Sequence, residues 1–287
     1  MPAQPALSSA LARLESRWGS AAVKVGLGVP GADAQAPAPA GVDNASDEIV
    51  PTGFARLDAL LGTGGLPRGV SASFRGAPSS GKTALALHCL AQAQARGAIV
   101  AFVDLCRIFD PLEAAARGVD LRWLLVCRPQ DVDEGWSLAA ALVSGRQVDL
   151  LVIDLPEGLR AGHETALRRL AAHARRSNVR MIVLEPINLA SPVHGALAES
   201  VGLRLELEQS AWLRAGRDVV GRQVTVNVAK NRFGPQGSVN MHFFPAKMRF
   251  EVAASDGQWD EDEDTTAVRQ DRKERSFRPP TSDEEVF

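Results

Sequence analysis

A short glycine-rich stretch carries the residue types that hold a nucleotide phosphate. Residues 76–83 read GAPSSGKT and fit the pattern G-x-x-x-x-G-K-[ST]. Glycines let a backbone wrap around phosphates, and N–H groups at a helix N-terminus supply positive potential. The lysine would reach the β- and γ-phosphates, and the threonine hydroxyl would bind Mg²⁺. We therefore predict a site for ATP and Mg²⁺, with the nucleotide-binding residues Gly76, Ala77, Pro78, Ser79, Ser80, Gly81, Lys82 and Thr83.

Such a site needs a second acid that orients the Mg²⁺ ion, placed where a strand ends. The apolar run LLVID ends in Asp154, so we predict that Thr83 and Asp154 together hold the metal. Two plainer interpretations stay open. The glycine-rich pattern could be a chance match in a loop, and Asp154 could only cap the loop that follows its strand.

Alternating strands and helices are expected to position these residues. Between residues 71 and 185, apolar strand segments alternate with helical segments, which predicts an α/β fold with a mostly parallel central sheet flanked by helices. After Leu203 the pattern changes to period-two alternation, with turn signals at Gly216 and Gly221. This change predicts antiparallel strands at the C-terminal end of the sheet. Trp136 and Trp212 are expected in the core.

Composition divides the chain into four segments. Residues 1–25 contain an amphipathic helix over 7–18 and then a short strand, and residues 26–48 have the Gly, Pro and Ala content of a flexible linker. Residues 49–252 are expected to form the ATP-binding core. Residues 253–287 are expected to be a disordered acidic tail, since 255–287 hold 11 acidic and 5 basic residues in a chain of net charge −2.

Other features of the composition argue against several classes of protein. The three cysteines are far apart without CxxC spacing, which argues against a disulfide framework or a zinc site. No apolar run approaches the length of a membrane span, and the first residues lack the features of a signal peptide. We therefore expect a cytoplasmic protein with no membrane partner.

Several stretches together resemble the bacterial RecA recombinase family, in the order and near the spacing of that family. They include PTGFARLDALLGTGGLPRG, GAPSSGKTALALHCLAQAQARG, VDLLVID and VTVNVAKNRFGP. The resemblance implies a RecA-like P-loop NTPase core that stacks head to tail with ATP between subunits. It also implies that Lys230 and Arg232 reach the nucleotide of a neighbouring subunit, and that residues 7–18 mediate self-association or co-assembly with RecA.

The chain departs from the family at three positions that matter for hydrolysis. Cys106 stands where the family has its catalytic glutamate, Glu113 where it has the aromatic residue that stacks on adenine, and Pro186 where it has its switch glutamine. A thiol is a poor base for activating water. The resemblance therefore implies ATP binding with weak or absent hydrolysis, unless another acid has taken over; the candidates are Glu164, Glu199 and, best placed at a strand end, Glu185.

Binding of single-stranded DNA has weaker support. The segments that correspond to the two DNA-binding loops of the family, after Asp154 and after Pro186, are shorter here. A basic stripe nevertheless follows, made of Arg168, Arg169, Arg175 and Arg176 with Arg160 near its start. This stripe could contact DNA phosphates, face solvent, or meet an acidic partner protein.

The sequence is compatible with three functions. The first is an ATP-binding accessory protein of DNA repair, similar to the ImuA-type partners of an inducible translesion polymerase assembly. The second is an active recombinase with ATPase activity that depends on single-stranded DNA. The third is a regulatory module that co-assembles with a RecA filament.

Overall fold

The structure is a computed structural model that describes residues 23–25, 49–159, 162–215, 217–244 and 249–252. The predicted helix 7–18, the linker 26–48, the tail 253–287 and the predicted DNA contact Arg160 lie outside the described residues. In the described part, no helix is long and apolar enough to cross a membrane.

Ten of the twelve strands in the described residues form one sheet, in the order β1-β6-β5-β7-β8-β4-β9-β10-β11-β12, and β2 pairs with β3. The six strands from β6 to β9 run parallel, whereas β1 and the strands from β10 to β12 are antiparallel to their neighbours. The bounds are β1 Val23–Val25, β2 Ile49–Val50, β3 Leu66–Pro67, β4 Ser71–Gly76, β5 Val100–Asp104, β6 Leu124–Cys127, β7 Leu150–Asp154, β8 Arg180–Glu185, β9 Leu203–Ala215, β10 Asp218–Asn231, β11 Gly237–Phe244 and β12 Arg249–Val252.

Six described α-helices connect the strands. Their bounds are α1 Ala55–Leu61, α2 Lys82–Gln94, α3 Pro111–Ala116, α4 Val132–Ser144, α5 His163–Ser177 and α6 Ser191–Ser200, with a short 3₁₀ helix at Leu121–Trp123. Local signals set several helix ends. Asp110 and Asp131 cap α3 and α4 by accepting backbone N–H groups, and Asn178 ends α5 in the left-handed conformation.

Two apolar cores cover the two faces of the sheet. Phe102 packs into the core that contains α2, while the next residue, Val103, packs into the core that contains α4, α5 and α6. Successive side chains of a strand point to opposite faces, so a strand covered on both faces must be apolar throughout. The predicted α/β class, the mostly parallel sheet and the C-terminal antiparallel strands are confirmed.

Three local predictions are wrong. Gly221 lies within β10, at a register shift against β9, and not in a turn. Trp212 is 57% exposed, because alternation along β9 turns its neighbour Leu213 to the covered face instead. The segment after Pro186, taken as a loop, contains helix α6.

Candidate functional site

The glycine-rich stretch forms a tight turn between β4 and α2. A Cβ on Gly76 would lie 2.7 Å from the Leu207 carbonyl oxygen and closer still to the Ser80 hydroxyl, so only glycine fits there. Gly81 has φ +93°, a conformation that side chains with a Cβ rarely adopt, and α2 begins at the next residue. This geometry leaves the N-terminus of α2 beside a concave loop, which is how a phosphate site is built.

Lys82 lies over this loop. Its Nζ atom donates to the carbonyl oxygens of Gly76 and Ala77, at 3.0 and 3.4 Å. Burial lowers the pKa of Lys82, while the negative charge of Asp154 counteracts that effect. The ammonium group thus sits in a partly desolvated position, where its attraction to a phosphate is stronger than in water.

Asp154 ends β7 with only 2% of its surface exposed. Its Oδ2 atom is buried and has no hydrogen-bond partner among the described residues. Burial raises the pKa of Asp154 to about 6, against an ordinary value of 3.8. A buried carboxylate oxygen without a donor is costly, and a bound cation would supply the missing interaction.

The donor set around Asp154 fits Mg²⁺. Thr83 and Asp154 line the same cavity, and both carry oxygen atoms, which Mg²⁺ prefers. In the described part of the chain, no three His, Cys, Asp or Glu side chains are grouped to hold a metal ion. Mg²⁺ usually relies on one or two protein ligands together with nucleotide phosphates, so this sparse set suits it.

Asp104 is the register partner of Asp154 on the neighbouring strand β5, yet its environment differs. Its carboxylate accepts hydrogen bonds from the backbone N–H groups of Ile108 and Phe109, at 2.8 and 3.3 Å, and from Arg128 Nε at 3.0 Å. Asp104 therefore holds the loop after β5 in place, and this loop carries Cys106 into the cavity.

Cys106 lies beside Asp154 in this cavity. Burial, followed by the charge of Asp154, raises the pKa of the thiol to about 12. The side chain is therefore a neutral thiol at neutral pH, which neither accepts a proton from water nor carries a fixed negative charge. The structure thus gives Cys106 no means to act as the missing base.

The cavity at the loop has a volume of about 420 Å³. Glu113, Arg222 and Phe243 are among the residues that line it. The Arg222 guanidinium lies 4.4 Å from the centre of the Phe243 ring, and Arg117 lies 5.2 Å from it. Glu113 accepts a hydrogen bond from Arg117 Nε at 2.9 Å, so it is held in an ion pair instead of stacking on a base.

Sequence reasoning missed Arg222, Phe243 and Glu157 as residues of the cavity. The first two come from the antiparallel strands β10 and β11, more than a hundred residues after the glycine-rich loop. No local pattern links such distant residues. Glu157, three residues after Asp154, could have been found by counting every acid near the end of β7.

Glu185, the favoured replacement acid, is fully buried and does not line the cavity. Its carboxylate accepts a hydrogen bond from Ser73 Oγ at 2.6 Å and contacts His194 Nδ1 at 2.6 Å and Arg204 at 3.2 Å. The neighbouring Pro186 does line the cavity, but it offers no side-chain donor. This geometry argues against Glu185 as the acid that activates water.

The two cations predicted to act on a neighbouring subunit lie outside the cavity. Lys230 Nζ donates to the Ala198 carbonyl oxygen at 2.5 Å, and Arg232 donates to the Glu199 carbonyl oxygen at 3.1 Å. Both groups therefore stabilise the C-terminal end of α6, where cations are favoured. They are not brought together with Lys82 within one subunit.

The arginine stripe lies on the outer face of α5, where the structure shows Arg168, Arg169, Arg175 and Arg176 exposed. Arg168 pairs with Glu199 at 3.0 Å, which reduces the charge at that end of the stripe. The stripe is separate from the residues that line the cavity.

Comparison with known proteins places these features in a family. The family model of the RecA N-terminal domain matches residues 6–165. The chain is 32% identical over 260 residues to "Protein RecA" of Symbiobacterium thermophilum, covering 81% of this chain and 71% of that protein. It is 34% identical over 260 residues to "Protein RecA" of Leifsonia xyli, covering 81% and 69%.

A solved structure described as the RadB recombinase has a similar fold, with a TM-score of 0.57, 24% identity, and coverage of 72% of this chain and 100% of that one. The family model covers more than half of the chain, and these relatives are 32% and 34% identical over most of it. This chain belongs to the RecA family.

Proposed function

We propose that this protein is an ATP-binding protein of DNA repair or recombination that hydrolyses ATP slowly. One observation carries the proposal. A preformed phosphate loop and an unpartnered Asp154 oxygen share a cavity with a neutral thiol at the position of the family's catalytic acid. The role in DNA repair rests on the relatives, which are named Protein RecA and RadB recombinase.

Different residues of the cavity would bind different parts of the nucleotide. The loop N–H groups and Lys82 would hold the phosphates, and Thr83 and Asp154 would hold Mg²⁺, which neutralises phosphate charge when it is bound. The Phe243 ring is only 7% exposed and lies against Arg222, so it offers little surface for stacking in place of Glu113. ATP binding would therefore depend on the contacts to the phosphates and to Mg²⁺.

The weak hydrolysis follows from what Cys106 and Pro186 lack. The neutral Cys106 thiol is a poor acceptor for a proton from water, and Pro186 has no side-chain group that donates a hydrogen bond to a γ-phosphate. In addition, Arg75 donates to the Ile187 carbonyl oxygen at 3.0 Å, and Glu185 is held by His194 and Arg204. Contacts within the protein thus hold the segment after β8 in place. This supports a function that depends on contacts with other proteins, and not on a cycle of ATP hydrolysis that moves this segment on DNA.

Partner contacts belong to the same proposal. Residues 7–18 would mediate self-association or co-assembly with RecA. A polymerase assembly would be the further protein partner. Lys230 and Arg232 line no part of the cavity described for their own subunit, so their contact with ATP would come from a neighbouring subunit. The exposed arginines of α5 are the surface for single-stranded DNA or an acidic protein.

The test measures binding and turnover separately. A fluorescent ATP analogue is titrated with Mg²⁺, and phosphate release is followed with and without single-stranded DNA. We expect binding that Lys82→Ala weakens at least about tenfold, with turnover well below about 1 s⁻¹ and no stimulation by DNA. Robust DNA-stimulated turnover would favour an active recombinase, and unchanged binding by Lys82→Ala would refute the phosphate site.

A further inference from the structure

Even slow hydrolysis needs a carboxylate that takes a proton from the attacking water. Most of the carboxylates that the sequence suggests for this role are paired with other side chains. Glu185 is buried among Ser73, His194 and Arg204, and Glu199 pairs with Arg168. Glu164 starts helix α5 and does not line the cavity. None of the three acids is placed to meet water at a γ-phosphate.

The carboxylates that do line the cavity are Asp154, Glu113 and Glu157. Asp154 is the buried Mg²⁺ ligand of the proposed function, and Glu113 is paired with Arg117. For Glu157, no described residue donates a hydrogen bond or forms an ion pair. Of these three acids, Glu157 is therefore the one that can accept a proton without losing an existing partner.

The backbone brings Glu157 to the right place. It lies in the turn that follows β7, three residues after Asp154, and its side chain is exposed to solvent. The next residue, Gly158, has open space around the position of a Cβ, so the turn is not crowded. An exposed acid on an open turn has both access to water and freedom to approach the phosphate.

The position of Glu157 also explains how it could replace an acid at residue 106. Strands β5 and β7 are parallel neighbours, with Asp104 opposite Asp154. Cys106 follows Asp104 by two residues and Glu157 follows Asp154 by three, so both leave adjacent strand ends and line one cavity. The negative charge of Glu157 acts on Lys82, which places this carboxylate within electrostatic reach of the phosphate-binding lysine.

We propose that Glu157 is the catalytic carboxylate that activates water for ATP hydrolysis in this protein. This inference rests on the proposed function, since it requires ATP in the cavity. The Glu157 carboxylate takes a proton from water as the water oxygen forms a bond to the γ-phosphorus. The bond between that phosphorus and the β–γ bridging oxygen breaks, and ADP leaves with the electron pair. The proton then passes to the released phosphate, which restores the carboxylate.

The experiment compares Glu157→Gln with the matched control Glu208→Gln in the full chain. Glu208 is an exposed acid on β9 that does not line the cavity. Binding of the fluorescent ATP analogue, the thermal midpoint and single-turnover hydrolysis are measured for both variants. We expect Glu157→Gln to lower the hydrolysis rate at least about tenfold, with nucleotide affinity within about threefold of wild type. Glu208→Gln should leave the rate and the affinity unchanged.

The outcomes separate this inference from the proposed function. If the wild type binds the nucleotide and Glu157→Gln hydrolyses it at the wild-type rate, the assignment of Glu157 is overturned and the proposed function stands. If the wild-type rate equals that of Lys82→Ala, the cavity supports no hydrolysis; the assignment of Glu157 and the proposed slow hydrolysis are then both overturned, and the proposed ATP binding stands. If the wild type does not bind the nucleotide at all, the proposed function fails, and the role of Glu157 fails with it.

Discussion

Replacing Asp154 by asparagine is expected to stabilise the nucleotide-free protein. The Asp154 carboxylate is buried, and its Oδ2 atom has no hydrogen-bond partner among the described residues. Its pKa is raised from 3.8 to about 6, which corresponds to a cost of about 3 kcal/mol for keeping the group ionised in the folded protein. Asparagine has a similar shape and no charge, so it removes this cost.

The pH dependence has a definite sign. A group with a raised folded pKa gives its full contribution to stability when protonated, below the unfolded value of 3.8, and loses it as the pH rises through about 6. Asp154→Asn should therefore raise the free energy of unfolding by about 1–3 kcal/mol at about pH 7.5. The difference between variant and wild type should shrink towards zero below about pH 4.

Asp104 offers a matched control on the neighbouring strand. It is equally buried, but its carboxylate accepts hydrogen bonds from two backbone N–H groups and from Arg128. Asp104→Asn should therefore destabilise the protein by about 1–3 kcal/mol, because hydrogen bonds to a charged group are lost. Urea denaturation followed by circular dichroism, without nucleotide, measures both changes. Destabilisation by Asp154→Asn at neutral pH, or equal effects of both variants, would refute the reasoning.

Further outcomes concern the loop, the metal and the two tryptophans. Affinity for the Mg²⁺ complex of ATP should fall as the pH drops below about 6, since protonated Asp154 cannot hold the metal. Binding of ATP without Mg²⁺ should change less over the same pH range. Titration with a fluorescent analogue tests this, and equal pH profiles with and without Mg²⁺ would contradict it. Gly76→Ala should destabilise the protein by about 1–3 kcal/mol and abolish nucleotide binding, because the new Cβ atom would clash with Ser80 and the Leu207 carbonyl oxygen. An unchanged melting midpoint of the variant would argue against this packing. Trp212→Ser should change stability by less than about 0.5 kcal/mol, while Trp136→Ala should cost about 3–5 kcal/mol; similar losses in thermal melts would show that Trp212 is buried.

The sequence alone predicts the fold class and the phosphate loop, because both depend on patterns that are local along the chain. The loop needs glycines at fixed spacing and a helix directly after it, and Gly76, Gly81 and Lys82 meet these needs within a few residues. Apolar strands such as Leu150–Asp154 are recognisable since a strand covered on both faces has no polar side.

Only the tertiary structure decides which side chains meet across the sheet. Phe243 and Arg222 line the cavity although their strands are distant in sequence from the glycine-rich loop. The register shifts between β9 and β10 likewise have no clear signal in the sequence. The sequence likewise places Glu185 at a promising strand end. The fold then surrounds its carboxylate with groups from β4, β9 and α6, and leaves Glu157 facing the cavity. Strand ends are set by local pattern, whereas the partners of each side chain are set by the packing of distant elements.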